Sequence, residues 1–302
     1  MTATSPRKLT RCALSATGLT LPLLLAGCSL FPTTRHLPVP KAPPLVQTAT
    51  PQQLVTQLND QWDALHNLTA TVEIQATELK TMEGVEKEFP SCRGYIIITK
   101  PRMLRVLGTY FGVTIFDMSS NGNTFTMVIP PKSLVIEGTN TVTEKSANPL
   151  ENLRPDFFFD AIAVRGLDPD EAYMVAADTE TIEDVAKKHL YTEPEYVLSV
   201  MRRVPADHGQ FVPVRQVTFH RDDMRPYEQD LYDAKGNLTT VITYSNYADF
   251  QAGEYPSRVV IKRPIEGIEL TLTVERVQQN VDLPTDEFNV KIPDGAKLQK
   301  LK

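Results

Sequence analysis

Hydrophobic and polar positions change their rhythm several times along this chain. Residues 13–26 are apolar or small without interruption, and Arg7, Lys8 and Arg11 precede them. The run is shorter than the ~20 apolar residues that span a bilayer and fits a secretory signal peptide over residues 1–27. Six prolines follow within residues 29–51, which predicts an extended, semi-rigid tether over 28–51. Behind Thr50-Pro51, the residues Leu54, Leu58, Trp62 and Leu65 recur at three- and four-residue spacing. That spacing predicts a helix with one apolar face.

From Leu68 the period becomes two. Val72, Ile74 and Ala76 alternate with polar residues, and further strands are expected at 95–98, 103–107, 113–118, 125–129 and 134–137. Asn121-Gly122 reads as a hairpin turn. Residues 149–164 carry Phe157, Phe158 and Phe159 in succession, too much apolar surface for one narrow helical stripe. Residues 168–190 are acidic and read as helix and loop, so a helical insertion is expected over about 149–190. Strands resume at 195–203, 212–221, 226–233, 238–246, 256–263 and 267–278, with a turn at Lys235-Gly236-Asn237. Ile268, Leu270, Leu272 and Val274 alternate with polar neighbours, as in a half-buried antiparallel strand. The expected class is α+β, mainly β. About eleven strands form one strongly curved antiparallel sheet, in a single domain over 52–302, with helices on its concave side.

Charge narrows the choice of partner. Without residues 1–27 the chain has 28 basic and 37 acidic residues, a net charge of −9. That disfavours a nucleic-acid partner, and adsorption to anionic lipid as the main membrane contact. Leu25-Ala26-Gly27-Cys28 looks like the lipobox of bacterial lipoproteins, in which the cysteine thiol is acylated before cleavage. The alternative is an ordinary signal peptide with a chance cysteine. Once Cys12 leaves with the signal peptide and Cys28 is lipidated, Cys92 stands alone, so no internal disulfide is expected. Cys92 reads as a buried small hydrophobe or as a reactive thiol.

Catalytic patterns are scarce. His36, His66, His189, His208 and His220 form no metal-binding helix pattern, and no nucleophile elbow or phosphate-cradling loop occurs. Asp117 and Asp160 are isolated carboxylates. No enzyme activity, metal or cofactor is expected. A curved sheet incompletely covered by helices would leave an apolar cavity. Helices that filled the space would make an ordinary core, and both readings stay open.

Four stretches carry a family resemblance. They are Gly94–Arg105, Ser119–Phe125, Pro149-Leu150 with the helix after it, and Val281–Phe288 with Ile292-Pro293 and Gly295. In this order they resemble the LolA/LolB-like superfamily of periplasmic lipoprotein carriers and outer-membrane receptors. The resemblance implies an incomplete β-barrel with a helical lid over an apolar cavity. It puts Lys100 where the soluble carrier has an arginine that controls the lid, and lysine is not an equivalent donor. The cavity-lining residues it implies are Trp62, Leu65, Ile97, Leu104, Phe116, Phe125, Phe157, Phe158, Ile162, Leu270 and Leu272. The implied ligands are acyl chains of lipids or lipoproteins, delivered by a periplasmic carrier protein to a receptor held on its membrane by lipid on Cys28. Ser29 follows that cysteine in place of a retention aspartate, which implies the outer membrane, facing the periplasm. A second reading is a non-enzymatic envelope scaffold or sensor, with the acidic stretch as its working surface.

Overall fold

The computed structural model describes residues 46–80, 84–141, 154–184, 189–204, 209–251 and 253–301. The signal peptide, Cys28 and most of the tether lie outside these residues, as does the 149–153 part of the expected lid helix. Thr50 opens the first helix, α1 (Pro51–Ala64), with a capping box. Its hydroxyl accepts from the Gln53 amide at 3.2 Å, and Gln53 Oε1 accepts from the Thr50 amide at 2.7 Å. Leu54, Val55 and Leu58 form the buried stripe of α1.

Seven strands follow: β1 (Asn67–Lys80), β2 (Val85–Glu88), β3 (Cys92–Thr99), β4 (Met103–Tyr110), β5 (Val113–Ser120), β6 (Thr124–Ile129) and β7 (Leu134–Thr139). A short helix, α2 (Asp156–Ile162), separates them from β8 (Glu171–Asp184), β9 (His189–Arg203), β10 (Phe211–His220), β11 (Pro226–Tyr232), β12 (Leu238–Asp249), β13 (Glu254–Arg263), β14 (Ile268–Gln279) and β15 (Lys297–Leu301). One sheet holds all fifteen, in the order β15-β7-β6-β5-β4-β3-β1-β14-β13-β12-β11-β10-β9-β8, with β2 paired to β1 off that path. Neighbours run antiparallel except β15, which lies parallel to β7. The sheet is curved and does not close. The β1–β14 pairing, Leu68 opposite Gln279 through Glu78 opposite Ile268, joins its two halves.

Both predicted turns are present. Asn121 Oδ1 accepts from the amides of Asn123 and Thr124, with Gly122 at φ +88°. Asp233 Oδ1 accepts from the amides of Lys235 and Asn237 around Gly236.

The expected helix and loop over 168–190 is corrected: β8 and β9 form a long hairpin there, in register from Glu171 opposite Arg202 to Asp184 opposite His189. β8 is the sheet's last strand and pairs only with β9. It is exposed over most of its length, so its sequence shows no clean apolar alternation. Among the described residues fifteen strands stand against about eleven expected, in part because β2, β8 and β15 are short or polar.

The apolar residues gather in two clusters. The larger joins α2 to β1, β3, β4, β5 and β12–β14. The smaller joins α1 to Tyr196, Leu198, Val200, Val217 and Phe219 of β9 and β10, and Val164 packs against both. Among the described residues no helix is long and apolar enough to cross a membrane.

Candidate functional site

The seven residues of α2 divide sharply. Phe157, Phe158, Phe159, Ala161 and Ile162 are buried, while Asp156 and Asp160 stand four apart on one side. Arg102, in the turn joining β3 to β4, spans both carboxylates. Its Nε donates to Asp156 Oδ1 at 3.1 Å, and its terminal nitrogens donate to Asp160 at 3.3 and 3.2 Å and to the second oxygen of Asp156. The same guanidinium lies over the Phe159 ring, 5.0 Å from its centroid. Arg165 adds a bond from Nε to Asp160 Oδ1 at 3.0 Å.

Burial works against the Arg102 charge, but Asp160 and Asp156 outweigh it and hold the guanidinium well above its ordinary pKa. Burial also pushes the Asp156 carboxyl up, against the downward pull of Arg102.

The inner side of α2 is held differently. A short helix leaves its last carbonyls without intrahelical donors. Gln229 Nε2 of β11 donates to the Asp160 carbonyl at 2.9 Å, and the Tyr255 hydroxyl of β13 donates to the Ile162 carbonyl at 2.6 Å. Arg215 of β10 is 1% exposed and donates to the carbonyls of Arg165 and Gly166 at 2.5 and 2.6 Å. Its burial, and the nearby Arg165 charge, pull its pKa down to about 10.

Most of the residues assigned to a cavity do come together. Leu65, Leu104, Phe157, Phe158, Ile162, Leu270 and Leu272 are buried in the larger cluster, with Trp62 and Phe116 packed against it. They pack tightly: Phe159 and Leu272 have no exposed surface, and the edge of Trp62 meets the Phe159 ring at 6.2 Å between centroids. In this arrangement the rings of α2 are buried against the sheet.

Phe125 is buried beside Gly138, where a Cβ would sit 2.9 Å from its ring, and lies outside both clusters. Ile97 is corrected. Ile96 and Ile98 point inward, and Ile97 takes the opposite face, where its register partner is Arg105. That face is partly covered by the C-terminal segment, since Arg105 donates to the Glu287 carbonyl at 2.5 Å.

Lys100 does not touch α2 through any of its hydrogen bonds. Its Nζ donates to the carbonyls of Trp62 and Asp63, at 2.7 and 3.4 Å, at the C-terminal end of α1. Arg102, two residues on, holds α2. Nothing local in the sequence marked it, because its partners lie 54 and 58 residues away.

Cys92 is buried in the larger cluster. Burial first, and the Glu73 charge second, raise its pKa, the reverse of an activated thiol. No group of three potential metal ligands occurs among the described residues.

Two surface features complete the region. A concavity of about 570 Å³ opens beside Trp62, Lys100, Pro101, Arg102, Arg165 and Asp168. The β4–β5 hairpin closes on Tyr110 opposite Val113, with Phe111 and Gly112 at φ 47° and 78°. A left-handed phenylalanine is uncommon, and this one is 91% exposed, beside Tyr110 at 44% and Val113 at 63%.

No protein-family model and no curated protein matches the chain. Among solved structures it is similar to a LolA superfamily protein from Nitrosomonas europaea, with 16% identity, 80% of this chain and 99% of that chain covered, and a TM-score of 0.49. It is also similar to a DUF1329 family protein from Desulfovibrio piger, with 15% identity, coverage of 78% and 94%, and a TM-score of 0.47. A domain of a putative outer membrane lipoprotein-sorting protein from Vibrio parahaemolyticus is similar at 13% identity, coverage of 79% and 94%, and a TM-score of 0.42.

Proposed function

We propose that this chain is a membrane-tethered protein of the bacterial envelope that reversibly buries acyl chains of lipids or lipoproteins beneath α2, without covalent chemistry. The observation that carries this reading is the division of α2. Its apolar residues fill the curved sheet, and Arg102 grips its acidic side from a neighbouring turn. Ion pairs of groups this far buried gain little net stability, because desolvation offsets most of their attraction. They suit a reversible latch better than a structural bolt.

The magnitudes permit exchange. Lifting Phe157, Phe158, Phe159 and Ile162 out of the interior costs roughly 6–12 kcal/mol, at about 1.5–3 kcal/mol each. A sixteen-carbon chain buries about fifteen methylenes at ~0.8 kcal/mol apiece, or roughly 12 kcal/mol. One acyl chain of that length is therefore of the size needed to offset release of the plug, whereas a ligand of four or five carbons is not.

The proposed anchor is Cys28, at the outer membrane and facing the periplasm. It stands eighteen residues before Val46, at most about 60 Å of extended chain. Gln47 is held at the β10–β11 turn, where its amide donates to the Arg221 carbonyl and Arg221 Nε donates back to its carbonyl at 3.1 Å. The exposed Phe111 supplies a point of entry into lipid or into an incoming acylated partner, such as one delivered by a periplasmic carrier. On the scaffold reading, the acidic stretch works as the exposed β8 edge instead of as a helix.

The test is mass spectrometry of lipid extracted from the chain purified out of membranes. Acyl lipid at a fixed ratio to protein is expected. Its absence, both in the unmodified chain and after Arg102→Gln, would count against the reading.

A further inference from the structure

The concavity beside Trp62 has an unusual balance of charge. Of the six described residues that line it three are cations, Lys100, Arg102 and Arg165, and one is an acid, Asp168. Arg102 already faces Asp156 and Asp160, and Arg165 faces Asp160 and, at 3.6 Å, Asp168. Lys100 differs from both. Its Nζ meets two carbonyls at the end of α1 and lies 4.9 Å from the centroid of the Trp62 ring. Among the described residues no carboxylate lies within ion-pair distance of it. The carbonyl end of a helix carries only about half a negative charge, so a full positive charge stands there incompletely neutralised. Asp168, whose side chain is 48% exposed, is shared between Arg165 at 3.6 Å and Arg202 at 3.8 Å.

The concavity also adjoins the interior. Trp62 lines it while touching Phe159 of α2, and Arg102 lines it while holding α2 by both carboxylates. An anion placed here meets Lys100 at once and competes with Asp168 and Asp160 for the two guanidinium groups. Tryptophan with cations beside an apolar interior is the chemistry of a lipid interface, where the ring lies at headgroup depth.

We propose that this concavity holds the phosphate of an anionic phospholipid headgroup, whose acyl chains enter beside α2. The phosphate oxygens accept from Lys100 Nζ and from the Arg165 guanidinium. Drawing Arg165 and Arg102 away from Asp160 loosens the latch, so headgroup capture and opening of the interior are coupled. This inference rests on the acyl-binding reading above and adds the class of lipid.

The experiment is calorimetric titration of the full chain with three soluble probes: dioctanoyl phosphatidylglycerol, dioctanoylglycerol and inorganic phosphate. The phosphatidylglycerol is expected to bind about tenfold tighter than the diacylglycerol, with inorganic phosphate weaker than both. Lys100→Gln is expected to remove most of that ratio while Lys100→Arg keeps it. In the unmodified chain the preference falls as salt rises, a readout that does not depend on how any variant folds. Equal affinity for the two lipids overturns the inference and leaves the acyl-binding reading standing, as does a preference that survives Lys100→Gln. Phosphate alone binding as tightly as phosphatidylglycerol assigns the site to a free anion and overturns the headgroup. Failure of both lipids to bind overturns the acyl-binding reading itself.

Discussion

The Tyr255 hydroxyl of β13 donates to the carbonyl of Ile162, the last residue of α2, at 2.6 Å. Both groups are buried, and burial pushes the Tyr255 pKa far above its ordinary value, so it stays a donor. The inner end of α2 is thus fixed by a residue 93 positions away. Tyr255→Phe leaves a buried carbonyl without this donor, which costs about 1–3 kcal/mol. Urea unfolding is expected to show that loss, and hydrogen exchange to show it concentrated over 156–162.

Arg102→Gln removes the outer hold. Arg102 and Asp156 are each about a quarter exposed, at 25% and 29% of their side chains. Removing Arg102 leaves two largely buried carboxylates without their main donor, so a cost of about 1–3 kcal/mol to global stability is expected, while acyl-chain uptake becomes faster in stopped-flow mixing. A stability loss of several kcal/mol with unchanged uptake would make Arg102 part of the framework and not a latch.

Much of the framework was legible in the sequence and the latch was not. Thr50, Pro51 and the Leu54–Leu58–Trp62 spacing give α1, since cap and stripe are local signals. The alternation from Ile268 to Val274 gives β14. β8 was missed because an exposed edge strand has no buried face to impose a period. Ile97 lies on the face opposite to the one expected because Tyr95–Ile98 is apolar throughout, and a continuous run does not declare its parity. Gly94 holds the missing clue: a Cβ there would sit 2.5 Å from Ile74, so even-numbered residues of β3 face inward. Arg102, Gln229 and Tyr255 converge on α2 only through the sheet's long-range register.

The latch is expected to respond to pH through Asp156. Burial raises its pKa above the ordinary aspartate value of about 3.9. As pH falls from neutrality it takes a proton before an exposed aspartate does, and one charge of the latch is lost. Docked α2, in which Asp156 is buried, binds that proton more tightly than a released and solvated α2, so uptake is expected to slow in mild acid and Asp156→Asn to flatten that dependence. Global stability moves the same way. A raised native pKa means that the folded state binds the proton more tightly than the unfolded chain. The contribution of this group is present in full below the unfolded value and is lost as pH rises through the folded one.

Phe111→Ser separates folding from delivery. With 91% of the residue exposed there is little burial to lose, so the melting temperature is expected to stay within a few degrees. Association of the chain with liposomes in flotation experiments is expected to weaken, because the ring gains about 1.5–3 kcal/mol when it is buried in lipid.

Displacement of α2 by an acyl chain can be followed directly, because Trp62 is the single tryptophan of the chain and touches Phe159. The measurement is quenching of Trp62 fluorescence by palmitate brominated at mid-chain. The account predicts saturable quenching at one or a few chains per protein, quicker to develop in Arg102→Gln. Folded protein whose Trp62 emission shows no saturable quenching, with α2 intact or with its latch removed, would contradict it.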